Sequence, residues 1–219
     1  MGAYLRRPWN PNVDIIQCAC ETTLGVLRLL SPEDTMVGSN LSPESRKALL
    51  ARIREAMKTW LTVKELRDDV AELTGELLRP AGAFVTLHKR GRLRGCIGTF
   101  QADEALAVIA VRMGVAAAVQ DPRFPPVTVQ ELDECEIEIS VLSPARPIAS
   151  PDEIEIGTHG VQLNKGMQRA VFLPQVAPEQ GWDRDTMLEH LCLKAGLPAE
   201  AWRGAGVDLE VFTAEVFSE

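Results

Sequence analysis

At 219 residues, with 46% hydrophobic and 25% charged side chains, the chain has ordinary globular composition and is long enough for one large domain or two packed lobes. Its formal net charge of −8 argues against a dedicated nucleic-acid binder, which needs basic surface to displace counterions from phosphates. No apolar run approaches the roughly 18 residues of a membrane span, so no membrane association is expected.

The opening stretch MGAYLRRPWNPNVD has no apolar run before Pro8 and Pro11 and does not read as a secretory signal. Without an export signal, and with five cysteines at irregular spacings, the thiols are expected to be reduced and the protein cytoplasmic. Val13, Ile16, Cys20, Leu24 and Leu27 form a helical stripe over 12–30, interrupted by Gly25, and SPEDTMVGSN reads as a loop. Ser42-Pro43-Glu44 is a helix start, with a capping hydroxyl, a proline in the first turn and an acid at the positive end. Leu49, Ile53, Met57, Trp60 and Leu61 then predict an amphipathic helix to about residue 61; a short helical turn and a loop follow, ending at Pro80.

Ala83–His88 and Arg92–Phe100 are β-rich and joined by turn chemistry at Lys89-Arg90-Gly91, which predicts a hairpin. Asp103 is expected to cap a buried helix from Glu104 to about Val119, apolar almost all round. Asp121-Pro122-Arg123-Phe124-Pro125-Pro126 is too proline-rich for helix or central strand. Glu134–Leu142 alternates Glu136 and Glu138 with Ile137, Ile139 and Val141, a strand with one buried face. A second hairpin is predicted from Val161–Asn164 and Arg169–Leu173, then a helix over Thr186–Ala195 stopped by Gly196 and Pro198, then a closing strand over Leu209–Phe217. Hairpins separated by helices, without regular βαβ alternation, indicate an α+β fold built on antiparallel sheet.

Strand alternation places Arg92, Arg94 and Cys96 on one face of the hairpin, with Leu93, Ile97 and Thr99 on the other. Cys96 beside two guanidinium groups would favour the thiolate. Gly95 and Gly98 flank it, and glycine within a strand marks a bulge or a close approach by another molecule. The competing reading is a buried cysteine serving as a small hydrophobe. Residues 88–94, His-Lys-Arg-Gly-Arg-Leu-Arg, form a basic knot in an acidic chain, either a solvated hairpin tip or an anion site. The prolines around Asp121, Arg123 and Phe124 make either a rigid binding loop or an Asp–Arg pair that pins a structural turn. Of the three histidines, His159 in a loop is the functional candidate. Cys18, Cys20, Cys135 and Cys192 lack the paired spacing of a zinc site, so no metal is expected, and no phosphate-binding loop, dinucleotide fingerprint or nucleophile elbow appears.

The strings GAFVTLHKRGRLRGCIGTF, DPRFPPV, EIEISVLSP, HGVQL, AVFLPQVAPEQGWD and LCLKAGLPAEAW, in this order, closely resemble the AMMECR-one domain family (AmmeMemoRadiSam system protein A-like), whose hallmark LRGCIG is Leu93 to Gly98 here. The resemblance covers about residues 42–219, so 1–40 is expected to be an N-terminal extension and 41–219 a single domain. It implies an α+β fold with two closely packed lobes, and pathway partners in a Memo-like protein and a radical S-adenosylmethionine enzyme; it implies no particular activity, and no cofactor is expected. Two main readings follow, beside a third, a nucleic-acid-associated regulator, that the resemblance suggests and the charge balance disfavours. In one, an enzyme or enzyme component acts on a small anionic or carbonyl substrate, with Cys96 as nucleophile, His159 or Asp121 as acid–base partner, and Arg94, Gly95, Gly98 and Arg123 binding the substrate. In the other, a non-catalytic adaptor presents the basic hairpin and the Pro125-Pro126 loop to a partner, and Cys96 is buried.

Overall fold

The computed structural model describes residues 41–66 and 75–219, together with a two-residue strand, β1 (Ile16–Gln17). That strand replaces helix at these two positions; the rest of the helical stripe predicted over 12–30 lies outside the described residues, as do 67–74. Helix α1 (Pro43–Val63) begins as its sequence dictates, with Ser42 Oγ accepting from the Ser45 backbone N–H at 3.3 Å. It ends at Lys64, which turns left-handed (φ 61°) while its N–H closes on Trp60 O.

Strands β2 (Ala83–Lys89) and β3 (Arg92–Thr99) form the predicted hairpin around Arg90-Gly91. Helix α2 (Leu106–Val119) follows, without the expected Asp103 cap. Ala105 occupies the cap position, and Arg79 O accepts from the Leu106 N–H at 2.9 Å beside a Pro80–Ala105 bridge. An acceptor brought by tertiary structure thus satisfies a donor that a local side chain was expected to satisfy. The chain continues through a one-turn helix, α3 (Val129–Leu132), β4 (Cys135–Leu142) and β5 (Arg146–Pro147). The second hairpin is β6 (Gly160–Lys165) with β7 (Gln168–Phe172). Helices α4 (Val176–Gln180) and α5 (Arg184–Lys194) precede β8 (Asp208–Phe212) and β9 (Ala214–Ser218).

Two antiparallel sheets result, in the orders β1-β3-β2-β4-β9 and β5-β8-β6-β7, and the α+β class predicted from the hairpins is what the chain adopts. One face of the five-stranded sheet, through Val85, Leu87, Ile97, Ile137 and Ile139, meets Leu49, Ile53 and Met57 of α1 and the apolar α2. Several of these side chains are wholly buried, each contributing roughly 1.5–3 kcal/mol relative to exposure. The opposite face presents Phe84 and Cys96 to a second core built from Val161, Leu163, Phe172, Leu188 and Phe212. The five-stranded sheet is therefore the shared wall between two hydrophobic interiors. The predicted closing strand proves to be two: it breaks at Thr213, so β8 belongs to the four-stranded sheet and β9 to the five-stranded one. Ser143 and Thr213 clamp that crossing with the bonds Ser143 N–H to Thr213 O and Thr213 N–H to Ser143 Oγ, both 2.9 Å. Among the described residues no helix is long and apolar enough to cross a membrane.

Candidate functional site

The central hairpin does not keep simple alternation. Leu87 pairs with Gly95 but His88 pairs with Leu93, so Arg94 is an extra residue on β3, a β-bulge. One inserted residue exchanges the faces that follow it. Leu93 and Cys96 both meet the core between the two sheets, while Ile97 lies in the core under the helices. The expected face of Arg92, Arg94 and Cys96 therefore does not form.

Cys96 is 2% exposed, and its Sγ accepts a hydrogen bond from Thr86 Oγ1 at 3.2 Å. Its backbone N–H donates to Asp121 Oδ2 at 2.9 Å, which is how the Asp121 loop reaches the hairpin. Asp121 is itself 4% exposed. Arg123 grips it through Nε to Oδ1 at 3.0 Å and Nη2 to Oδ2 at 2.8 Å, and the Arg123 backbone N–H adds a bond to Oδ1 at 3.1 Å. Burial alone would raise the Asp121 pKa, but the Arg123 side chain and the Cys96 and Arg123 amides outweigh it and hold the carboxyl below its ordinary value. Of the two readings of this loop, the Asp–Arg pair pinning a turn is the one the geometry matches: the carboxylate fastens the end of α2 to β3.

Arg94 is occupied as well. Its Nε and Nη2 meet Glu131 Oε1 and Oε2 at 2.8 and 3.0 Å, and Nη2 also donates to Pro125 O at 2.8 Å. The Arg94 hydrogen bonds, with help from Lys89 and against partial burial, push the Glu131 carboxyl down to about 2. Phe124 carries both guanidinium groups over its ring, with Arg94 and Arg123 carbons 5.8 and 5.6 Å from the centroid. Gly95 and Gly98 are closely approached, as a strand glycine signals, but by the protein itself. A Cβ on Gly95 would lie 2.3 Å from Ala117 O of α2, and one on Gly98 would lie 2.2 Å from the Phe84 ring. Neither glycine leaves room for a substrate.

The structure thus brings Cys96, Arg94, Asp121 and Arg123 into one neighbourhood, but through backbone amides and internal ion pairs. His159 is held in its own turn, its N–H donating to Glu155 O at 2.9 Å and its Nδ1 accepting from the Glu155 N–H at 3.1 Å. Cys135 and Cys192 are buried in separate cores, and burial pushes both thiols up. Cys18 and Cys20 lie outside the described residues. Among the described residues no group of His, Cys, Asp and Glu has the geometry to hold a metal ion.

Glu131 and α3 are what sequence reasoning missed. Their signal was present: Thr128-Val129-Gln130-Glu131 has the spacing of a capping box, and Thr128 Oγ1 does accept from the Glu131 N–H at 3.2 Å. The Glu131 side chain leaves the cap and turns to Arg94. Beyond this interior clasp, the hairpin tip opens into a concavity of about 530 Å³ lined by Lys89, Arg90, Arg92, Leu93 and Arg94.

Comparison with known proteins gives a match of residues 50–217 to the AMMECR1 family model. A protein of Methanococcoides burtonii is 39% identical over 186 residues, covering 82% of this chain and 91% of its own. One from Thermofilum pendens is 36% identical over 195 residues, covering 82% and 92%. Among solved structures, an uncharacterized protein from Pyrococcus horikoshii is similar at 35% identity with a TM-score of 0.73, covering 78% of this chain and 90% of that one.

Proposed function

The chain belongs to the AMMECR1 family, and from that premise we propose that it is a non-catalytic docking protein whose LRGCIG segment joins the two lobes and whose basic hairpin tip, with the Pro125-Pro126 loop, meets a partner. One observation carries this reading: the Cys96 sulfur is 2% exposed, packed between two sheets under a hydroxyl donor. A catalytic thiol needs a thiolate reachable by substrate. Arg94, the expected anion clamp, spends its guanidinium on Glu131 and Pro125 O, and Asp121 is an ionised fastener whose oxygens are occupied. What faces outward is the tip, where Arg90 and Arg92 are exposed beside the 530 Å³ concavity.

The family resemblance supplies a Memo-like protein and a radical S-adenosylmethionine enzyme as the partners to try first, in the cytoplasm. The test is alkylation of the native protein by iodoacetamide near neutral pH, read cysteine by cysteine by mass spectrometry. Cys96 is expected to stay unmodified until denaturant is added. Rapid native modification of Cys96 would restore the enzyme reading.

A further inference from the structure

The tip of the central hairpin is a two-residue turn in which both residues have positive φ, Arg90 at 52° and Gly91 at 71°. Turns of this kind favour Asn, Asp or Gly at the first position, because a larger L-residue adopts left-handed backbone only at a cost. The chain keeps an arginine there, with its side chain 82% exposed. Backbone strain retained at an exposed position, where no packing accounts for it, directs attention to function.

The charges around Arg90 are unevenly matched. Lys89 and Arg94 share Glu131, and Arg90 reaches Glu134 at 3.0 Å. Arg92 is exposed and makes no ion pair among the described residues. Four cations line the concavity, and the carboxylates that ion-pair with them are Glu131 and Glu134, the latter also taking Lys89 at 3.6 Å, which leaves Arg92 uncompensated by an ion pair among the described residues. Leu93, half-buried against the core between the two sheets, is the apolar side chain of the lining. No aromatic ring lines it to stack a base, and its lining is hairpin side chain without a helix N-terminus to cradle a phosphate. Spread guanidinium groups around one apolar side chain match several carboxylates around one apolar residue.

We infer that this concavity binds an acidic peptide segment of a partner protein, with carboxylates on Arg90 and Arg92 and an apolar residue of the segment against Leu93. The inference rests on the docking reading above and names the chemistry of its ligand. The probe is a short fluorescein-labelled peptide of Asp and Glu around a central Leu, titrated with the full chain at low salt and followed by anisotropy.

Saturable binding is expected, weakened roughly two- to fivefold by Arg92→Ala and by Arg90→Gly, the range of one exposed ion pair. Binding should also fall as salt shortens the screening length from about 10 Å at 0.1 M to about 3 Å at 1 M. Arg90→Gly should keep or raise the melting temperature, because glycine adopts the left-handed turn without strain. Lys47→Ala, on the exposed side of α1, should bind as the unmodified chain does. No saturable binding, an equal loss in Lys47→Ala, or displacement of the peptide at lower concentration by pyrophosphate or by an oligothymidine of equal charge would overturn the assignment. Cys96 alkylation on the same preparation separates the two proposals. An unreactive thiol with no peptide binding overturns the ligand alone; a reactive thiol with peptide binding overturns the non-catalytic reading and leaves the ligand standing.

Discussion

Gly95, Cys96 and Gly98 lie within four positions of one strand, yet each answers to a different neighbour. Gly95 exists for the carbonyl of Ala117, Gly98 for the ring of Phe84, and Cys96 for the apolar space between the sheets. The local pattern announced a bulge or an approach by another molecule at these glycines; the approaching atoms come instead from α2 and from the adjacent strand. Gly95→Ala should accordingly be a stability variant. Its Cβ has no flexible side chain to push aside, only helix backbone, so overpacking is expected to cost about 1–3 kcal/mol or more. Urea unfolding would register this as a lower midpoint at unchanged slope. An alanine variant as stable as the parent would mean that helix and strand do not approach this closely.

The hairpin and α3 show how one inserted residue redirects chemistry. Alternation read from sequence assumes an uninterrupted ladder, and it therefore put Arg94 beside the Cys96 sulfur; the bulge sends that guanidinium to Glu131 instead. A bulge leaves no reliable mark in composition, whereas the Thr128-x-x-Glu131 spacing of α3 was legible. The Arg94–Glu131–Lys89 clasp has a pH signature. The Glu131 carboxyl is depressed from 4.5 to about 2 in the folded chain, so its contribution is complete above about 4.5 and is lost as pH falls toward 2. Partial exposure limits that contribution to about 1–2 kcal/mol. Denaturant unfolding between pH 2 and 6 should show a shallower acid slope for Glu131→Gln than for the parent. Parallel slopes would remove the clasp from any account of acid stability.

The two lobes share the five-stranded sheet, the Thr213 crossing and a row of rings in which Phe100 stands 5.0 Å from Phe84 and 5.3 Å from Phe212. Such continuity predicts that residues 41–219 unfold as one cooperative unit. Phe100→Ala removes the middle ring of a partly buried row and should cost about 2–4 kcal/mol while keeping one transition. Coincident unfolding reported by Trp60 in the helical lobe and Trp182 in the other would agree; separate midpoints would divide the chain into two domains. Sequence alone determined the α+β class, the extent of α1 and both hairpins, because each depends on contacts between residues close in the chain. The single buried face expected of β4 holds only for its first half, since the second lobe also buries Ser140 and Leu142. Tertiary structure alone decided which sheet each half of 208–218 joins, where Arg94 points and whether the Cys96 sulfur meets solvent. Those outcomes depend on partners tens of residues away, on the bulge that sets their register, and on the burial that only the assembled lobes create.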